Sequence, residues 1–220
     1  MPYAIRVAGV VRVTGLIATG AALLASIGDL LLLHVAQLGP EDCGIARMAC
    51  WPELLTGHYL GVLTIPLYGI GYWQVSRGLG ANDWRARWVF ALGAYASALG
   101  GAVHGLTALI IRASPADPNA PGDPFAALAP YAPYLLPLWL LLGVLALAGS
   151  ALFTLVILTT RTAYPRWFAF ANPVVLVALA SLATLPAPAI ASYVIPAAPN
   201  LAHIVFFGAS TAVLWQADTR

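Results

Sequence analysis

The chain has 220 residues, of which 61% are hydrophobic and 8% charged, against about 25% charged in ordinary soluble domains. That balance excludes a soluble globular protein, and a formal net charge of +2 offers no basic surface for nucleic acid. Lysine is absent, which excludes a retinal or pyridoxal Schiff base, because both need a lysine amine.

Apolar runs of roughly 20 residues, enough to cross about 30 Å of hydrocarbon, predict an all-α polytopic membrane protein: one domain over 1–220, built as a bundle of six transmembrane helices. The first span covers 7–35. It is far longer than the 7–15 residues of a signal-peptide core, so it is expected to stay in the mature chain. A polar stretch holding Cys43 and Cys50 follows, then span two over 57–75, where Pro66 predicts a kink. A loop with Asn82 and Asp83 leads to span three over 88–111. The proline-rich loop 114–133 argues against a continuous helix. Span four covers 134–160, span five 167–193 and span six 201–215.

In this arrangement Arg6, Arg12, Arg77, Arg85, Arg87, Arg161, Arg166 and Arg220 fall on one side, and Arg47 and Arg112 on the other. Positive charge marks the cytoplasmic face, so both termini are expected in the cytoplasm. Tryptophans 51, 84, 88, 139, 167 and 215 sit near span ends, as interfacial anchors do. The loop with Cys43 and Cys50 is then extracytoplasmic, where a disulfide between them is expected.

One residue breaks the apolar pattern of span one. Asp29 lies inside Ile27-Gly28-Asp29-Leu30, and a carboxylate within hydrocarbon costs roughly 2.5–3.5 kcal/mol on insertion scales. It must face protein and have a partner. With about 1.5 Å of rise per residue, Asp29, His104 and His203 fall about 6–9 Å outward of their span midpoints, on three different helices. His58 comes nearer about 12 Å and His34 nearer about 16 Å. His34 is also five residues from Asp29, about 140° around the helix, and points elsewhere.

Helical spacing gives each span an inward stripe. On span one it is Gly15, Thr19, Ala22, Ser26 and Asp29; on span three, Ala94, Ser97, Gly101, His104 and Ala108. Asn200, His203 and Ser210 share a face of span six, and His58, Gly61, Ile65, Tyr68 and Tyr72 one of span two.

Asp29, His104 and His203 are therefore the expected catalytic set. An acid beside an imidazole can hold and pass a proton, which suits acid–base chemistry on a lipid or isoprenoid-like apolar substrate. The same residues with His58 have the donor types of a zinc or iron site, and bis-histidine haem ligation is a weaker third option. A small-ligand, metal or haem binding or transport protein is the alternative, and a structural subunit of a membrane complex another. Against transport, the cytoplasmic half offers little polar beyond Asn172, which before Pro173 is expected to cap a helix. For Asp29 the competing expectation is a structural carboxylate bonded to a neighbouring histidine or hydroxyl.

Ile27-Gly28-Asp29, the segment 100–105 around His104, Tyr164-Pro165-Arg166-Trp167, Asn172-Pro173 and the segment 200–210 together resemble an uncharacterised family of bacterial six-span integral membrane proteins. The resemblance covers nearly the whole chain. It implies a multi-pass protein of the bacterial inner membrane and carries over no activity.

Overall fold

A computed structural model describes residues 2–38, 49–80, 82–113 and 126–217. The described residues are helical throughout their ordered elements: α1 (Pro2–Gln37), α2 (Trp51–Thr64), a 3-10 turn (Ile65–Leu67), α3 (Tyr68–Gly80), α4 (Trp84–Ala113), a 3-10 segment (Ala126–Tyr131), α5 (Ala132–Thr159), a second (Arg166–Phe170), α6 (Pro173–Thr184) and α7 (Pro188–Ala217). Five of the helical rods are long and apolar enough to cross a membrane: Gly9–Ala36, Trp51–Gly80, Trp84–Ala113, Leu128–Thr159 and Ala189–Ala217. Their outward faces are apolar: Val144 and Leu147 of α5 are 61% and 58% exposed, a surface suited to lipid rather than water. The chain is a membrane protein by this measure.

The expected fifth span, 167–193, is divided. Its first part is the 3-10 segment Arg166–Phe170, its middle the 12-residue α6, and residues 188–193 belong to α7. Pro186 stands in the break and Pro188 opens α7, a position where a missing N–H costs nothing. Pro196 and Pro199, expected between two spans, lie inside α7 instead. Helix-breaking proline is tolerated where packed neighbours satisfy the freed carbonyls. Span two is likewise longer than expected, from Trp51 to Gly80, and Pro66 tightens it to a 3-10 turn rather than ending it.

Helix α1 is central, packed on α2, α3 and α7; α4 lies against α2 and α3 and carries α5, and α6 lies along α7. The small residues Ala18, Ala21, Ala22 and Ala25 of α1 are fully buried or nearly so, which lets neighbouring backbones approach closely. The larger core joins them to an aromatic stack of Phe153, Tyr164, Phe168, Phe206 and Phe207. A smaller cluster around Leu32, Val35, Leu54, Ala108 and Ile111 closes the opposite end.

The guanidinium of Arg12 lies 4.8 Å from the Trp215 ring, so the start of α1 and the end of α7 share one end of the bundle. The Ala163 N–H donates to the Gly78 carbonyl at 2.9 Å, bringing the α5–α6 connection there too. Arg112 sits over Trp51 at 4.8 Å at the opposite end. Arg12, Arg77 and Arg161 thus lie toward one end and Arg112 at the other, as expected for these four; Arg47 and Arg220 lie outside the described residues.

Asn172 caps α6 as expected. Its side-chain oxygen accepts from the Val175 N–H at 3.1 Å, while its amide donates to the Ala169 carbonyl at 3.1 Å and to Thr154 at 3.3 Å. Replacing Asn172 with alanine should lower stability by about 1–2 kcal/mol, the usual cost of a lost N-cap, read as a lower unfolding midpoint in detergent. An unchanged midpoint would remove the cap from the account.

Candidate functional site

Asp29 has two partners. Its Oδ1 lies 3.1 Å from His104 Nδ1, and its Oδ2 accepts from the Asn200 amide at 2.6 Å. The other nitrogen of His104, Nε2, meets the Gly57 carbonyl at 3.0 Å. A carbonyl only accepts, so Nε2 carries a hydrogen. The Nδ1–Oδ1 contact is a hydrogen bond when it carries a proton, as imidazolium with carboxylate or as imidazole with carboxylic acid. Both nitrogens of His104 are engaged and its side chain is 6% exposed, whereas that of Asp29 is 16% exposed. Asp29 is the reachable member of the pair.

Close helix packing makes this geometry. At Gly28 and Gly57 the backbones of α1 and α2 nearly touch: a Cβ on either would fall 2.9 Å from the other's carbonyl oxygen. A Cβ on Gly61 would occupy the space of the His104 imidazole. Ala22, Ser26, Ser97 and Ala108 of the expected stripes are nearly inaccessible, whereas Thr19, Asp29, His58, Tyr72, Ala94 and His203 are half-buried.

Beyond Asn200 the network continues. The Tyr68 hydroxyl donates to Asn200 Oδ1 at 2.7 Å. This fixes the amide orientation, with its N–H aimed at Asp29. His203 does not touch Asp29; its ring lies 4.7 Å from the Tyr68 ring. Its Nδ1 donates to the Pro199 carbonyl at 2.6 Å and its Nε2 meets the Tyr72 hydroxyl at 2.9 Å. The Pro199 carbonyl thus requires a hydrogen on His203 Nδ1, and Tyr72 is seated over Gly93, where a Cβ would enter its ring.

The metal set expected from His58, His104, His203 and Asp29 does not assemble. Among the described residues no three histidine, cysteine, aspartate or glutamate side chains converge as metal ligands. The physical reason is that both nitrogens of His104 and of His203 are already bonded. His58 is half-buried next to Gly105, and His34 is exposed, as its spacing implied. The haem option meets the same obstacle at His104 and His203. Cys50 is buried at the start of α2; its expected partner Cys43 lies outside the described residues.

Sequence reasoning missed a second polar layer, about 15 Å further along α7 by its ten-residue offset from Asn200. Tyr164 bonds Ser210 at 2.8 Å, Ser210 donates to Gln74 Oε1 at 3.5 Å, and Gln74 Nε2 donates to Thr211 at 3.1 Å. Thr211 ends the chain on the Phe207 carbonyl at 2.7 Å. Gln74 and Ser210 are each 0% exposed. Burial raises the phenol pKa of Tyr164, which lies in the α5–α6 connection, and the bond to Ser210 only partly opposes that shift. Gly15 leaves the room that Gln74 and Thr211 occupy. Single polar residues such as Gln74 gave no signal in the sequence, since only their pairing across helices distinguishes them.

Between the layers stands Phe207. Its ring packs at 5.6 Å on Tyr68 and 5.5 Å on Tyr72, and a Cβ on Gly71 would fall against both this ring and Ala18. Asp29 with His104 and Asn200 thus forms an upper layer, Phe207 an apolar divider, and Gln74 with its hydroxyls a lower layer.

No curated protein and no solved structure matches the chain. A family model described as a family of unknown function, DUF6796, matches residues 8–217, nearly the full length. The motifs lead to the expectation of an uncharacterised family, and the chain belongs to one, DUF6796.

Proposed function

We propose that this chain is a six-crossing protein of the bacterial inner membrane with cytoplasmic termini, and that Asp29 is the proton-exchanging group of a membrane-embedded enzyme. Its substrate is an apolar molecule of lipid or isoprenoid type. In this reading the segment from Arg166 to Thr184 makes the fifth crossing, partly as 3-10 turn, and the arginine-rich end faces the cytoplasm. The observation that carries the chemistry is the 3.1 Å contact between Asp29 Oδ1 and His104 Nδ1. Asn200 and the Gly57 carbonyl hold the two sides of the pair, so His104 and Asn200 position and Asp29 exchanges. Double-bond isomerisation fits such a pair. A proton given to one alkene carbon and another withdrawn from the allylic carbon on the far side of the other alkene carbon shift the double bond and return the Asp29–His104 pair to its starting protonation state.

The test compares apolar extracts of cells expressing the wild type and Asp29→Asn. The wild type should alter an isoprenoid or lipid species that the variant leaves untouched. Identical extracts, with both proteins folded in the membrane, would overturn the enzyme.

One observation favours a second reading, proton-linked transport. Transport needs polar groups in both halves, and the buried layer around Gln74 supplies the half that the sequence left empty. Reconstituted vesicles holding a pH-sensitive dye separate the two. Proton flux that Asp29→Asn abolishes favours transport, and a tight vesicle with lipid turnover favours the enzyme.

A further inference from the structure

The end of α3, the start of α4 and the residues between them carry three arginines and one carboxylate. Asp83 is already committed. It accepts from the Arg85 backbone N–H at 2.9 Å and from its guanidinium at 3.1 and 2.8 Å, and these bonds hold its carboxyl below the usual carboxylate range. Arg77 and Arg87 are both exposed, and among the described residues neither guanidinium has a carboxylate partner.

These two arginines line one cleft of about 340 Å³ with Trp73, Ser76, Ala86 and Phe90. The guanidinium of Arg77 lies 5.8 Å from the Trp73 ring, which limits its freedom before any ligand arrives. Ser76 donates to the Trp73 carbonyl at 2.7 Å, so the charged donors left for a ligand are the two guanidinia. Trp84 and Trp88, 65% and 55% exposed, stand in the first turns of the same helix, α4. Aromatic residues of this kind mark headgroup depth. The cleft thus pairs two cationic forks, suited to phosphate oxygens, with an apolar wall suited to the first part of an acyl chain.

We propose that the cleft between the end of α3 and the start of α4 binds the phosphate of an anionic phospholipid, with Arg77 and Arg87 as its ligands. A free phosphate would use the guanidinia but gain nothing from Trp73, Ala86 and Phe90; a lipid uses both.

The test titrates the purified full-length protein in neutral detergent with phosphatidylglycerol, phosphatidylcholine and inorganic phosphate, following the unfolding midpoint and lipid retention by native mass spectrometry. Phosphatidylglycerol should bind and raise the midpoint, and phosphatidylcholine should not. The Arg77→Gln/Arg87→Gln variant should bind phosphatidylglycerol about thirtyfold more weakly, with its lipid-free midpoint unchanged. Arg161→Gln, exposed at the same end of the bundle, should bind like the wild type. Equal binding by the double variant overturns the proposal, as does equal loss in Arg161→Gln, which would mean unspecific charge. A midpoint shift reproduced by inorganic phosphate alone would make this a free-anion site and overturn the lipid.

Discussion

Replacing His104 with alanine is expected to destabilise the protein by about 3–5 kcal/mol, the range for removing one member of a buried ion pair. The change leaves Asp29 with Asn200 alone, orphans the Gly57 carbonyl and empties the space between Gly61 and α4. His104→Gln should lose less, because an amide can still donate to one of the two acceptors. Replacing both partners, as Asp29→Leu with His104→Leu, should recover most of the loss, since apolar pairs of similar volume often match buried ionic ones. Unfolding midpoints of the four proteins in one detergent measure this. If the apolar pair is folded and stable but inactive in lipid turnover and proton flux alike, the charges serve chemistry. An apolar pair that is as unstable as His104→Ala would sink that separation and make the network a structural lock.

The contrast matters because the observed geometry satisfies two descriptions at once. Asp29 is bonded to a neighbouring histidine, as a structural carboxylate would be. It is also held at an edge that retains some exposure, with its partner oriented by a carbonyl and its far oxygen by an amide whose own direction Tyr68 fixes. A lock needs only satisfied groups. A proton-exchanging site needs one group within reach and the rest immobile, and the pair has that asymmetry.

The periodicities of spans one and three were sufficient to place Asp29 and His104 on facing stripes at one depth, and the contact between them is what that register produces. His203 shares their depth but not their contact. Depth is read from position along a helix only to within about a turn; α7 does meet Asp29, but through Asn200, about one turn before His203. The aromatic rings of Tyr68 and Tyr72 occupy the intervening space. The split of the fifth span was hidden for a related reason. Pro186, Pro188, Pro196 and Pro199 carry the same local signal, and packing along α1 and α6 decides which of them break the chain. The layer around Gln74 was illegible because its members come from α3, α7 and the α5–α6 connection, far apart in sequence and individually ordinary.

Gly61 supplies the sharpest test of the packing. Glycine to alanine within an exposed stretch of helix stabilises by up to about 1 kcal/mol, and Gly20, with nothing near its missing Cβ, should behave so. Gly61→Ala should do the reverse. The new methyl falls on the His104 ring, which cannot yield without losing Asp29 or the Gly57 carbonyl, and overpacking of this kind costs about 1–3 kcal/mol. The two sites are in contact, so their effects should not add. In the His104→Ala background the ring is gone, and Gly61→Ala should turn from destabilising to neutral or mildly stabilising. A double-mutant cycle on unfolding midpoints reads this directly. Additive losses, with Gly61→Ala equally harmful in both backgrounds, would mean that His104 does not occupy the Gly61 groove. The orientation of its two nitrogens toward Asp29 and Gly57 would then fall with it.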